Sequence, residues 1–113
     1  MLKRLFGPTP EDLLLGEIRK SLTPLGFSES KDFTYPFLDF RHEAFLVRWI
    51  KDYKDQMYVF CICVGTESIE RPDGTIFESP KPVINIYCSL SDKDLNEFKD
   101  KVLKTLDDWL KTI

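Results

Sequence analysis

One histidine and three cysteines are the residues of this chain best suited to covalent or metal chemistry. His42 is the single histidine, so a nucleophile–histidine mechanism must run through it, with Asp39 or Glu43 orienting the ring and Cys61, Cys63 or Cys88 attacking. No catalytic signature surrounds these cysteines. His42 itself stands between Arg41 and Glu43 in a polar break that has the composition of a turn, so it is a catalytic candidate by residue type alone. Cys61, Cys63 and Cys88 with His42 would also make a four-ligand zinc set. However, alternate residues of a strand do not match the two-residue spacing of a zinc knuckle, and small buried hydrophobes are the simpler account of the thiols.

The remaining polar clusters lead to the same place. Glu67, Glu70, Asp73 and Glu78 gather around one turn, but Arg71 interrupts them and their spacing is not that of a calcium loop. They read as a solvated acidic loop able to engage a basic partner. The five glycines, Gly7, Gly16, Gly26, Gly65 and Gly74, are scattered, and no phosphate-cradling loop occurs. Neither a metal nor a cofactor is expected.

Sixteen basic and nineteen acidic side chains leave a net charge of −3, without the broad positive field that collects nucleic acid. The odd number of cysteines, all inside apolar runs, fits reduced thiols in the cytoplasm better than a secreted disulfide framework. Met1 to Gly7 carries a basic pair, Lys3 and Arg4, beside Leu2, Leu5 and Phe6; the next apolar run, Leu13-Leu14-Leu15, is too short for a signal peptide or a membrane span. Residues 1–8 are expected to be a flexible leader with no stable membrane association, and 9–113 one domain. At 113 residues such a domain buries roughly two-thirds of its unfolded surface and needs no metal or disulfide to fold.

Two amphipathic helices bracket that domain. Thr9-Pro10-Glu11-Asp12 is a helix start: threonine caps free N–H groups, proline has none to satisfy, and the acids complement the positive helix end. Leu14, Ile18 and Leu22 then define a buried stripe, and Pro24 to Gly26 stops it, with Phe27 packing back. The closing helix begins at a Ser91 cap with Asp94 and carries Leu95, Phe98, Val102, Leu106, Trp109 and Ile113 on one side.

Between them the apolar residues lie next to one another, which predicts strands over 33–40, 44–50 and 57–64. The middle one has a rival: Phe45, Leu46, Trp49, Ile50 and Tyr53 also satisfy a helical spacing from an Asp39 cap, so 41–53 is strand or helix. Arg71-Pro72-Asp73-Gly74 marks a turn pairing 68–71 with 75–78 as a short hairpin. Ser79-Pro80-Lys81-Pro82 reads as a rigid connector, and 83–90 alternates cleanly as a half-buried strand. The fold class that follows is α+β. Two layers are expected, an antiparallel sheet of four to five strands with the N- and C-terminal helices on one face, over a core of Leu14, Ile18, Leu22, Phe60, Ile62, Ile84, Ile86, Phe98, Val102 and Leu106.

The run of helix, Leu25-Gly26-Phe27, the aromatic segment Tyr35-Pro36-Phe37-Leu38-Asp39-Phe40, further strands and an amphipathic closing helix resembles two kinds of small acidic bacterial protein. One is the secretion-chaperone-like family, which dimerises and binds extended client segments; the other is the varied set of immunity proteins that neutralise toxins. The chaperone-like fold has a middle helix where this sequence places the 68–78 hairpin. The resemblance implies a non-catalytic protein-binding module, encoded beside its toxin or client, and carries over no functional residue.

Strand parity says where binding would occur. If Asp39, Arg48 and Asn85 face away from the helices, then Tyr35, Phe37, Leu46, Ile50, Val83 and Tyr87 face away with them, joined by Val59, Cys61 and Cys63 if Phe60 and Ile62 point inward. A face so rich in tyrosine, phenylalanine and aliphatic residues fits contact with another protein or a second copy of the chain, unless 65–82 folds across it. Tyr35, Phe37, Leu46, Arg48, Ile50 and Tyr87 are the candidate partner-binding residues. The competing functions are a small enzyme using His42 and a domain that mainly homodimerises.

Overall fold

The computed structural model describes residues 8–32 and 37–113. Helix α1 spans Pro10–Leu22. Thr9 caps it reciprocally: the Asp12 N–H donates to Thr9 Oγ1 at 3.1 Å while the Thr9 N–H donates to Asp12 Oδ2 at 3.2 Å, satisfying two otherwise orphaned donors. A 3₁₀ turn, Thr23–Leu25, ends it at Gly26, whose φ of 97° is a left-handed conformation that favours glycine. The Phe27 N–H then returns to the Leu22 carbonyl at 3.3 Å, and the ring drops into the core. Helix α2, Asp92–Leu110, starts where the Asp94 N–H donates to Ser91 Oγ, and it buries Leu95, Phe98, Val102, Leu106 and Trp109. Ile113 lies past its end and is exposed.

Five strands form one antiparallel meander: β1 Ser28–Asp32, β2 Phe37–His42, β3 Phe45–Asp52, β4 Met57–Glu70 and β5 Ile76–Ser89, in that spatial order. Leu14, Ile18 and Leu22 of α1 and the buried stripe of α2 share a single core with Phe40, Val47, Trp49, Phe60 and Ile62. Both helices therefore cover the same sheet face, as the one-sided stripes require. Each large side chain buried there contributes roughly 1.5–3 kcal/mol relative to exposure. Trp49 also ties the layers together, its indole N–H donating to Glu11 Oε2 of α1 at 2.8 Å beside the Lys51–Glu11 ion pair.

The α+β architecture expected from sequence is the one observed, with several changes of detail. Residues 45–52 form a strand and not a helix, because β3 supplies the ladder partners of both β2 and β4, and Ala44 belongs to the turn before it. β1 was not expected: Ser-Glu-Ser-Lys-Asp has no apolar residue, and it pairs as a polar edge whose Glu29 is held by Arg19 of α1 through bonds of 2.6 and 2.7 Å. The first four residues of β2, Phe37 to Phe40, fall within the expected 33–40 strand and Arg41 and His42 extend it, while 33–36 and the expected leader, save Pro8, lie outside the described residues. The short hairpin at 68–78 is not separate, and Ser79 to Pro82 is not a connector. Both are part of β4 and β5, since β5 is an edge strand where prolines lose no ladder bond on the open side. Ile84 and Ile86 consequently stay only partly buried, at the margin of the core.

A bulge between Cys63 and Thr66, with Gly65 at φ 68°, separates the sheet from a two-stranded arm. Beyond it, 66–70 pair only with 76–80 and have no β3 beside them. A 14-residue strand at ~3.3 Å per residue is about 46 Å long, close to the 52 Å longest dimension of the molecule. The arm is thus outstretched, and 65–82 does not fold back across the sheet.

Candidate functional site

Cross-strand register places the expected outer-face residues in three rows opposite the helices. Phe37, Ile50, Val59 and Tyr87 form the first, Asp39, Arg48, Cys61 and Asn85 the second, and Arg41, Leu46, Cys63 and Pro82 the third. The rows contain every expected outer-face residue but two: Val83 falls at the register shift between Ile62 and Cys63, and Tyr35 lies outside the described residues.

The middle row is polar at one end. Asp39 accepts hydrogen bonds from Arg48 Nε at 2.7 Å and Arg48 Nη2 at 3.0 Å, and Arg41 Nη2 approaches the same carboxylate at 3.5 Å. The Arg48 guanidinium also lies 4.6 Å from the centre of the Phe37 ring, a cation–π contact that holds it flat on the sheet. Its hydrogen bonds to Asp39 raise the Arg48 pKa against the opposing effect of burial. Arg48 is thereby committed to Asp39, whereas Arg41, 56% exposed at its side chain, makes only the longer contact with that carboxylate.

The apolar part of the face divides in two. Leu46, Cys61 and Cys63 form a small buried cluster, with Leu46 only 3% exposed, so this residue is packing and not the accessible anchor its parity suggested. Tyr87, by contrast, is 66% exposed on the edge strand, and Phe37, Ile50 and Val59 are half-buried. Burial pushes the Cys63 thiol up to about 12, helped by the Cys61 sulfur 3.5 Å away. Such a thiol keeps its proton at neutral pH, where the thiolate needed for nucleophilic attack is scarce.

His42 is elsewhere. It lies on the helix side of β2, its ring 5.4 Å from that of Phe27, in an apolar cleft of about 400 Å³ completed by Leu25, Phe45, Leu110 and Ile113. Its nearest carboxylate, Glu43 Oε1, is 3.9 Å from Nε2, beyond hydrogen-bond reach. Cys61 and Cys63 face the opposite side of the sheet, so neither the thiol–imidazole pair nor the zinc set weighed from sequence is assembled with them. Among the described residues no group of three or more histidine, cysteine, aspartate or glutamate side chains is placed to hold a metal ion, and no helix is long and apolar enough to cross a membrane.

Arg41 is the outer-face residue that sequence reasoning missed. Its signal was present, because it stands two positions from Asp39 on one strand and so shares its face. Comparison with protein-family models, curated proteins and solved structures finds no match.

Proposed function

We propose that the chain is a non-catalytic protein-binding module of the immunity or chaperone kind, acting in the cytoplasm through its outer sheet face. What supports the reading is one arrangement: an apolar sheet face opposite both helices, not crossed by the 65–82 arm, with the exposed Arg41 at the margin of the Asp39–Arg48 ion pair. Apolar area with a few fixed polar groups is the usual composition of a specific contact surface. Pre-pairing Asp39 with Arg48 means that docking leaves neither charge without a partner. The partner that fits is a protein segment with an apolar surface and a carboxylate to meet Arg41.

The test is a calorimetric titration against the protein encoded by the neighbouring gene, where toxins and clients of such modules are found. Ile50→Glu and Arg41→Glu are expected to weaken binding by about tenfold or more while the fold, read by circular dichroism, is kept. Unchanged binding by both variants would remove the outer face from the account.

A further inference from the structure

The backbone at the β5 edge offers a second, independent surface. The Gly65 N–H donates to the Ala44 carbonyl at 2.8 Å, and the Leu90 N–H donates to the Gln56 carbonyl at 3.0 Å. In an antiparallel ladder bonded and non-bonded pairs alternate, so odd-numbered β4 residues from Met57 to Cys63 bond to β3 and even-numbered ones bond to β5. Ile84, Ile86 and Cys88 consequently spend their N–H and C=O groups on β4. Asn85 and Tyr87 aim both of theirs, and Ser89 its N–H, at the open edge, where no further strand is paired among the described residues.

Sheet edges are normally blunted by charge, proline or shortness. β1 is blunted in this way, being five residues long with Glu29 and Lys31. The arm side of β5 is blunted by Pro80, Lys81 and Pro82. Residues 83–89, Val-Ile-Asn-Ile-Tyr-Cys-Ser, have no charge and no proline, and Val83 and Tyr87 are 51% and 66% exposed. That stretch has the composition of a strand that pairs.

We infer that two copies of the chain join through this edge, 83–89 of one running antiparallel to 83–89 of the other, in a closed two-fold dimer. With Asn85 opposite Tyr87 of the second copy, every backbone N–H and C=O of both residues finds a partner. A two-fold interface sets a strand against itself, which penalises any charge within it, and this strand has none. At each end the same register brings exposed Lys81 of one copy beside Ser91 and Asp92 of the other, an opposite charge. Head-to-tail growth, β5 onto β1, would set the uncharged edge against a charged one, so association stops at two. The two outer faces then lie side by side on one sheet of five strands from each copy, yet the dimer does not depend on what those faces bind.

Sedimentation equilibrium of the full chain tests this. The expected mass is twice 13.3 kDa. Asn85→Pro removes an edge donor without touching the β4 ladder and is expected to give a folded monomer. Asn85→Lys places like charges near the two-fold axis and is expected to raise the dimer dissociation constant roughly tenfold or more. A wild-type chain that stays at 13.3 kDa up to millimolar concentration, assembles beyond two copies, or dimerises equally well as Asn85→Lys overturns the inference. Partner titration with Ile50→Glu, on a different strand, is a separate result.

Discussion

Asp39 accepts both hydrogen bonds of the Arg48 fork on the outer face, with only 13% of its side chain exposed, so removing it strands a half-buried guanidinium. Asp39→Ala is expected to cost about 2–3 kcal/mol in urea unfolding, because an orphaned charge loses more than the pair itself contributes. Replacing both partners, Asp39→Leu with Arg48→Met, is expected to recover most of that loss. Cys63 makes a different demand. Its folded pKa of about 12 stands above the ordinary thiol value of 9.0, so the thiol is neutral in both states below pH 9 and its contribution is complete there. As pH rises from about 9 towards about 12 the unfolded thiol ionises and the folded one does not, and the contribution is lost. The difference between the stability curves of wild type and Cys63→Ala should therefore change over that alkaline window and stay flat below it.

At the scale of elements, the helix caps and stripes were legible because they are local: Thr9 with Asp12, Ser91 with Asp94, and Leu14, Ile18 and Leu22 act within a few residues of one another. β1 was not legible, since its five polar residues pair only because β2 presents a ladder to them. The prolines at 80 and 82 looked like a break for a related reason; whether a proline interrupts a strand depends on which edge is open, a tertiary fact. The outer face was legible from alternation, but the burial of Leu46 was not, because it comes from Cys61 and Cys63 one strand away. Two variants probe these elements. Gly26→Ala forces a β-carbon into a left-handed φ of 97° and to 3.1 Å from the His42 ring, and is expected to cost about 1–2 kcal/mol in backbone strain plus the contact. Adding His42→Ala should relieve only the contact share, as a double-mutant cycle in urea would show. Replacing 66–80 with a tight turn should leave stability within about 0.5 kcal/mol, since the arm has neither helix nor third strand against it.

On the scale of the molecule, both helices are committed to one sheet face and the opposite face is left apolar around a fixed ion pair, in a chain with net charge −3. His42 lies on the helix side of the sheet and the Cys61–Cys63 pair on the other, so the sheet separates them. The function proposed for the chain is therefore carried by surface. Side-chain hydroxyl-radical footprinting of the chain, free and bound to the product of its neighbouring gene, tests that claim most directly. The account predicts that binding protects Phe37, Ile50 and Val59 while Leu13 of α1 and Leu25 at the His42 cleft react as before. Protection at the helices or the cleft with the outer face unchanged, or no complex at all, would contradict it.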